Sequence, residues 1–312
     1  MEKKYKGPTG ILGFPIAPFT NNGQVDEQAL ESNVDFLVKE GLGAIFINAG
    51  SSEFQSLSTE EYELMLDVTL ATTNGKVPVY TGVGGNISAA VKLAELSEAK
   101  GAEGYLIMPP YLIHGEQEGL YHYYKTIIES TNLKALLYQR DNAIFTTDTL
   151  KKLADFEQVV GFKDGHGDME LNIEISHALR NRLRLMNGMP FAEVTMPSYY
   201  SIGFETYSSA LSNYLPHISR MFFEALKNQE EDRVSELYQD VILPINQIRK
   251  LKKGYAVSLI KAGMEIVGLP VGEVVRAPLV PVEREHYQQL ENVINRAFQR
   301  YPLADMSEVK KS

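Results

Sequence analysis

Apolar residues fall along this chain in two alternating kinds of stretch. Short runs lie at residues 11–16, 44–47, 77–80, 104–108, 135–138, 159–163, 183–186 and 202–207. Runs this short, bounded by glycine, proline and polar residues, suit buried strands. Between them lie longer segments with helical spacing, among them 26–40, 59–71, 87–100, 116–130 and 147–156. Asp26, Ser58 and Thr146 stand where helix N-caps would, because a short side chain bearing oxygen can accept from the free amides of a first turn. Gly41 and Gly101 stand where helices would end, since a C-terminal cap favours a left-handed residue. Strands alternating with helices are parallel strands joined by crossovers. Eight of them at even spacing in roughly 200 residues fit a closed (β/α)8 TIM barrel better than an open doubly wound sheet. Beyond Pro216 the pattern changes, and 217–227, 230–251, 255–268 and 283–301 read as helices with no strand among them. The expected division is a barrel over residues 1–229, carrying the active site, and a C-terminal helical extension over 230–312. The polar tail 305–312 is expected to fray.

Composition narrows the function classes. The 312 residues are 44% apolar and 22% charged, as in a soluble globular protein. A formal net charge of −10 argues against nucleic-acid and anionic-membrane partners, which need a basic stripe. The absence of cysteine excludes disulfides, thiolate metal sites and cysteine nucleophiles. Residues 1–8 carry basic side chains without an apolar h-region behind them, and no apolar run approaches membrane-spanning length, so a cytoplasmic location is expected. The six histidines are scattered and form no ligand pair. Residues 81–86, T-G-V-G-G-N, match neither the dinucleotide fingerprint nor the P-loop spacing.

In barrels of this kind the chemistry sits on the loops that follow the C-terminal strand ends. The most informative of these is residues 158–168, Q-V-V-G-F-K-D-G-H-G-D. An apolar run leads into Lys163, and an acid and glycines follow it. A strand-end lysine more often snorkels into solvent. If it is buried instead, desolvation lowers its pKa and leaves a neutral amine that is nucleophilic towards ketones. Lys163 is therefore the candidate Schiff-base residue. After the second strand, Gly50, Ser51 and Ser52 can present amides and hydroxyls to a carboxylate, although a serine-rich turn capping the next helix has the same composition. Tyr138 ends the fifth strand, one β/α unit before Lys163, where a phenol beside an amine can shuttle protons. Packing alone would also account for it. Arg140 can pair with a substrate carboxylate, with Asp141 or with Asp164.

Together these residues resemble the dihydrodipicolinate synthase / N-acetylneuraminate lyase superfamily of class I aldolase-type barrels, over about residues 10–300. The resemblance is carried by F-P-I-A-P-F at 14–19, the loop ending in Glu53, P-P-Y at 109–111 and E-Q-E-G-L-Y at 116–121. It is carried too by Tyr138, G-F-K-D at 161–164 and Ser212-Asn213. Three stretches, E-F-Q-S-L at 53–57, L-Y-Q-R-D-N-A at 137–143 and F-K-D-G-H-G-D at 162–168, resemble a branch that dehydrates and decarboxylates keto-deoxy sugar diacids. Gly50, Leu112 and Ala143 stand where dihydrodipicolinate synthases have a relay threonine, an interface tyrosine and a substrate arginine, and Ser52 replaces the superfamily's usual glycine. The resemblance implies that Lys163 forms an imine with the ketone of a small sugar-acid substrate, with Tyr138 as proton shuttle. It implies that Gly50, Ser51 and Ser52 hold the adjacent carboxylate. Arg140, Asn187 and Ser209 are candidates for the distal carboxylate. It also implies a homotetramer built from dimers, and chemistry that needs neither a metal nor an organic cofactor. A dihydrodipicolinate synthase or another pyruvate-type aldol lyase is the alternative, and a non-catalytic keto-acid-binding barrel is a third reading.

Overall fold

The computed structural model describes residues 7–272 and 274–303, so the tail 305–312 lies outside the described residues. Eight parallel strands close in sequence order: β1 (Ile11–Gly13), β2 (Ile45–Ile47), β3 (Val79–Gly85), β4 (Gly104–Pro110), β5 (Lys134–Gln139), β6 (Val159–Asp164), β7 (Arg184–Asn187) and β8 (Thr206–Ser209). The crossovers are α1 (Glu27–Lys39), α2 (Thr59–Thr73), α3 (Ile87–Lys100), α4 (Gln117–Ile128), α5 (Thr147–Ala154), α6 (Met169–Leu179) and α7 (Met196–Ser201), with α8 (Pro216–Lys227) after β8. The TIM-barrel expectation holds.

The caps act as anticipated. Asp26 and Thr146 accept from the amides of Ala29 and Thr149, and Ser58 forms a reciprocal capping box with Glu61. Gly101 closes α3 in the left-handed region, at φ 89°. One strand is displaced. The apolar run 202–207 was expected to form the eighth strand, yet residues 202–205 turn out of α7. Gly203 adopts φ 97°, and the strand begins only at Thr206.

Alternation along the strands separates two apolar regions. Leu12, Phe14, Phe46, Tyr80, Leu106, Leu136 and Met186 fill the barrel interior. Ile107, Leu137, Phe162, Leu185 and Tyr207 face the helices. Inside, Phe14, Phe46 and Tyr80 stack face to face, with centroids 4.6 and 4.9 Å apart in turn. Beyond the barrel lie α9 (Glu231–Leu237), α10 (Leu243–Lys250), α11 (Tyr255–Ile266) and α12 (Arg284–Arg300). The expected single helix 230–251 is interrupted by a π turn over Tyr238–Ile242, just before Pro244, which has no amide to donate to the regular ladder. No described helix is long and apolar enough to cross a membrane.

All three rings of the aromatic stack are buried. Phe46→Ala is expected to lower the unfolding free energy by about 3–5 kcal/mol, read from denaturant midpoints at constant slope.

Candidate active site

A cavity of about 1560 Å³ opens at the C-terminal ends of the strands and runs on against α10 and α11. Lys163 lies in its wall. On β6 the alternation sends Phe162 outward to the helices, Lys163 inward and Asp164 outward again. Asp164 then organises the turn beyond. Its carboxylate accepts from Gln139 Nε2 (3.0 Å), from the amides of His166 and Gly167 (3.0 and 3.1 Å) and from Asn172 Nδ2 (2.7 Å), and the Tyr199 hydroxyl donates to it as well. These bonds fix the end of β6 and with it the direction of the lysine. His166 itself is exposed.

Lys163 is only 5% exposed, with Nζ 4.0 Å from the Phe14 ring centroid and 4.7 Å from that of Tyr138. Burial, helped by the nearby Arg140 guanidinium, pushes its pKa down to about 7. Tyr138 and Lys163 are register partners on β5 and β6, so the phenol is set beside the amine by strand pairing. Tyr138 is also buried, and desolvation raises its pKa, with Arg140 opposing that shift. Arg140 Nη1 lies 3.4 Å from the Tyr138 hydroxyl, and Nε donates to Asp141 at 3.2 Å. Of the pairings open to it, the arginine takes Asp141 while still facing the cavity. The next strand leaves room for the lysine stem, because Gly188 has no side chain. A Cβ there would lie 2.5 Å from both Cγ and Cε of Lys163.

Gly50 and Ser51 line the cavity in a 3-10 turn over Gly50–Ser52, but the third member of the expected carboxylate loop does not. Ser52 is fully buried and its hydroxyl donates to the Pro15 carbonyl at 2.7 Å, so the side chain braces the loop against the segment after β1. Two of the expected donors to a distal carboxylate are corrected as well. Asn187 follows inward-facing Met186 and points outward. Its amide donates to the Ala192 carbonyl and Thr195 Oγ1, at 3.0 and 3.1 Å. Ser209 borders the cavity, but its hydroxyl donates to Glu193 and accepts from the amide and hydroxyl of Ser212. Its neighbour Ser208, the register partner of interior Leu12, faces the cavity instead. Asn142, whose side-chain amide reaches the Pro110 carbonyl at 3.3 Å, also lines the wall. Pairing across the barrel closure, which no local pattern reveals, is what turns Ser208 inward and Ser209 outward.

The charges around the cavity run against those of the chain. Among the described residues, Lys92, Arg140 and Arg249 line it beside the desolvated Lys163, with one acid, Asp141, in a protein of formal net charge −10. A wall of this kind suits an anion carrying more than one negative charge.

The model of the dihydrodipicolinate synthetase family matches residues 7–297. A Bacillus licheniformis protein named probable 5-dehydro-4-deoxyglucarate dehydratase is 62% identical over 302 residues, covering 97% of this chain and 98% of that protein. A Bacillus subtilis protein of the same name is 61% identical over the same shares. Among solved structures, dihydrodipicolinate synthase from Oceanobacillus iheyensis superimposes with a TM-score of 0.87 at 27% identity, over 94% of this chain and 97% of that one.

Two measurements follow from the geometry around the lysine. Gly188→Ala should displace the Lys163 stem and slow borohydride trapping of a keto acid by about 10²-fold, with the circular dichroism spectrum unchanged. In the native protein the amine is protonated below its lowered pKa and neutral above it. Trapping should therefore accelerate as pH rises through about 7 and then level off. A midpoint near the ordinary lysine value would mean that the ammonium is hydrated after all.

Proposed function

The chain belongs to the dihydrodipicolinate synthetase family, and we propose that it is a 5-dehydro-4-deoxyglucarate dehydratase, releasing water and carbon dioxide to give 2,5-dioxopentanoate. The observation that carries this reading is the buried Lys163, held at a pKa of about 7 beside Tyr138 in a cationic cavity. The names of the relatives at 62% and 61% identity support the choice of substrate.

The neutral Lys163 amine adds to the ketone, water leaves, and the resulting iminium draws electrons from the neighbouring carbon. Ser51 and the backbone of Gly50 receive the carboxylate next to that ketone. A proton is lost from C3, counted from that carboxylate, and the C4 hydroxyl leaves as a second water. The iminium is now conjugated with the C3–C4 double bond. Cleavage of the bond from C5 to the distal carboxylate sends its electron pair through that path to nitrogen and frees carbon dioxide. Protonation, tautomerisation of the C5 enol to an aldehyde and hydrolysis of the imine, which takes up one water and so offsets the first, complete the product. Tyr138 moves protons at the imine and its carbinolamine, the step its register with Lys163 suits. Arg140 is the candidate for the distal carboxylate among the residues anticipated for it. Ser208 and Asn142 stand on the same wall.

Condensation of pyruvate with an aldehyde, the competing activity within this family, is disfavoured by Gly50 and Leu112, which offer no hydroxyl for a proton relay. A cytoplasmic homotetramer belongs to the same proposal. Tyr111, Leu112 and Ile113 stand exposed together after β4, an apolar surface that a second copy of the chain would cover.

Purified protein supplied with 5-dehydro-4-deoxyglucarate should release one carbon dioxide per substrate consumed. Condensation of pyruvate with aspartate semialdehyde, without carbon dioxide from the sugar acid, would overturn the assignment. In the same assay Tyr138→Phe should lower turnover by about 10²–10⁴, since only the hydroxyl is removed.

A further inference from the structure

The loop Gly50–Ser52 is flanked by two residues in the left-handed region that are not glycine: Asn48 at φ 56° and Glu53 at φ 54°. A side chain with a β-carbon disfavours that conformation, and it persists where surrounding contacts enforce it. Both side chains are fully buried and anchored. Asn48 Nδ2 donates to the Tyr62 carbonyl at 2.8 Å, within the barrel. Glu53 is held from outside the barrel, by Lys261 of α11, whose Nζ lies 2.7 Å from Oε1, and by the Arg276 amide, 2.8 Å from Oε2.

Lys261 is itself 1% exposed. Its Nζ also donates to the Val274 carbonyl at 2.6 Å and lies 4.6 Å from the Phe19 ring centroid. The Arg276 guanidinium covers the same ring at 4.1 Å and donates to the Ser56 and Gly23 carbonyls and to Glu61 at the head of α2. Burial pulls the Lys261 pKa below its ordinary value, and the Glu53 carboxylate opposes that shift. A buried ion pair contributes little to stability relative to an apolar pair of the same volume, and its best-attested use is to fix one arrangement among several. Here the arrangement fixed is the shape of the loop.

We propose that Lys261 is a positioning residue for substrate recognition: through Glu53 it holds the Gly50–Ser52 turn in the conformation that receives the carboxylate beside the ketone. The inference rests on the reading of this turn as the carboxylate site. The helical extension, remote in sequence from the imine-forming lysine, thereby sets how strongly the barrel prefers a keto acid over a simple ketone.

The test compares borohydride trapping of pyruvate with that of hydroxyacetone, which has no carboxylate, in the full-length native chain and two variants. Lys261→Met leaves Glu53 unpaired. Glu53→Met/Lys261→Met removes both charges, so no lone buried charge burdens the fold. In both, the preference for pyruvate should fall about tenfold, the loss expected from roughly one misplaced hydrogen bond, while hydroxyacetone is trapped at close to the native rate. With the sugar diacid, KM should rise more than kcat falls. An unchanged preference in the double variant would overturn the proposal, as would a parallel loss of trapping for both ketones, which is the mark of a merely structural role. If the native chain already fails to prefer pyruvate, it is the reading of the turn as the carboxylate site that falls, before any substitution is considered.

Discussion

An amine kept out of water is the constraint on which the rest of this site depends. An ammonium that loses its hydration must regain it from a carboxylate or give up its proton. Around Lys163 the close neighbours are the rings of Phe14 and Tyr138 and the Arg140 guanidinium, so the neutral form gains. The fold supplies this environment with few adjustable parts. Asp164 fixes the strand end through five donors. Gly188 leaves a channel for the lysine stem. The stacked rings from Phe14 to Tyr80 fill the barrel interior next to it. Tyr138 is no more free to drift than the strand that carries it.

The turn proposed to receive the carboxylate is a harder problem, because single 3-10 turns between β2 and α2 give it only a few backbone hydrogen bonds of its own. The structure solves it with side chains. Ser52 ties the turn to Pro15, Asn48 ties its entry to α2, and Glu53 ties its exit to the helical extension. The extension therefore does more than cover the barrel. Its α11 and the segment bearing Arg276 reach the same loop from a second direction, and α10 and α11 contribute to the cavity wall.

Periodicity and caps were enough to read the barrel, because each β/α unit is a local pattern and the N-cap residues act within one turn. That Lys163 and Tyr138 lie side by side could be read for a related reason: parallel strands of known order must set consecutive strand ends next to each other. What could not be read depends on parity and on distance. Ser208 and Ser209 differ only in which way they face, and that is decided by pairing of β8 with β7 and β1 across the closure of the barrel. Ser209 is the outward member of the pair, turned towards Glu193. Asn187 faces outward likewise, one residue past inward Met186. Glu53 and Lys261 lie 208 residues apart, and no local pattern links an acid in one loop with a lysine on a distant helix.

The charge distribution then explains how an acidic chain can take an acidic substrate. At physiological ionic strength the Debye length is about 8 Å, so the net charge of −10 is largely screened at the distances from which a ligand approaches. What a diacid meets inside the cavity is the local field of Lys92, Arg140 and Arg249, in a space whose apolar walls weaken that screening. Arg140 acts twice in this arrangement. Its charge adds to burial in lowering the pKa of Lys163, and in the proposed mechanism it also offers a dianion a partner, so a cation that helps keep the amine neutral would also draw in the substrate. Replacing Arg140 with a neutral residue would weaken both effects together. Burial would still hold the amine below its ordinary pKa, so the larger loss would fall on recognition of the dianion.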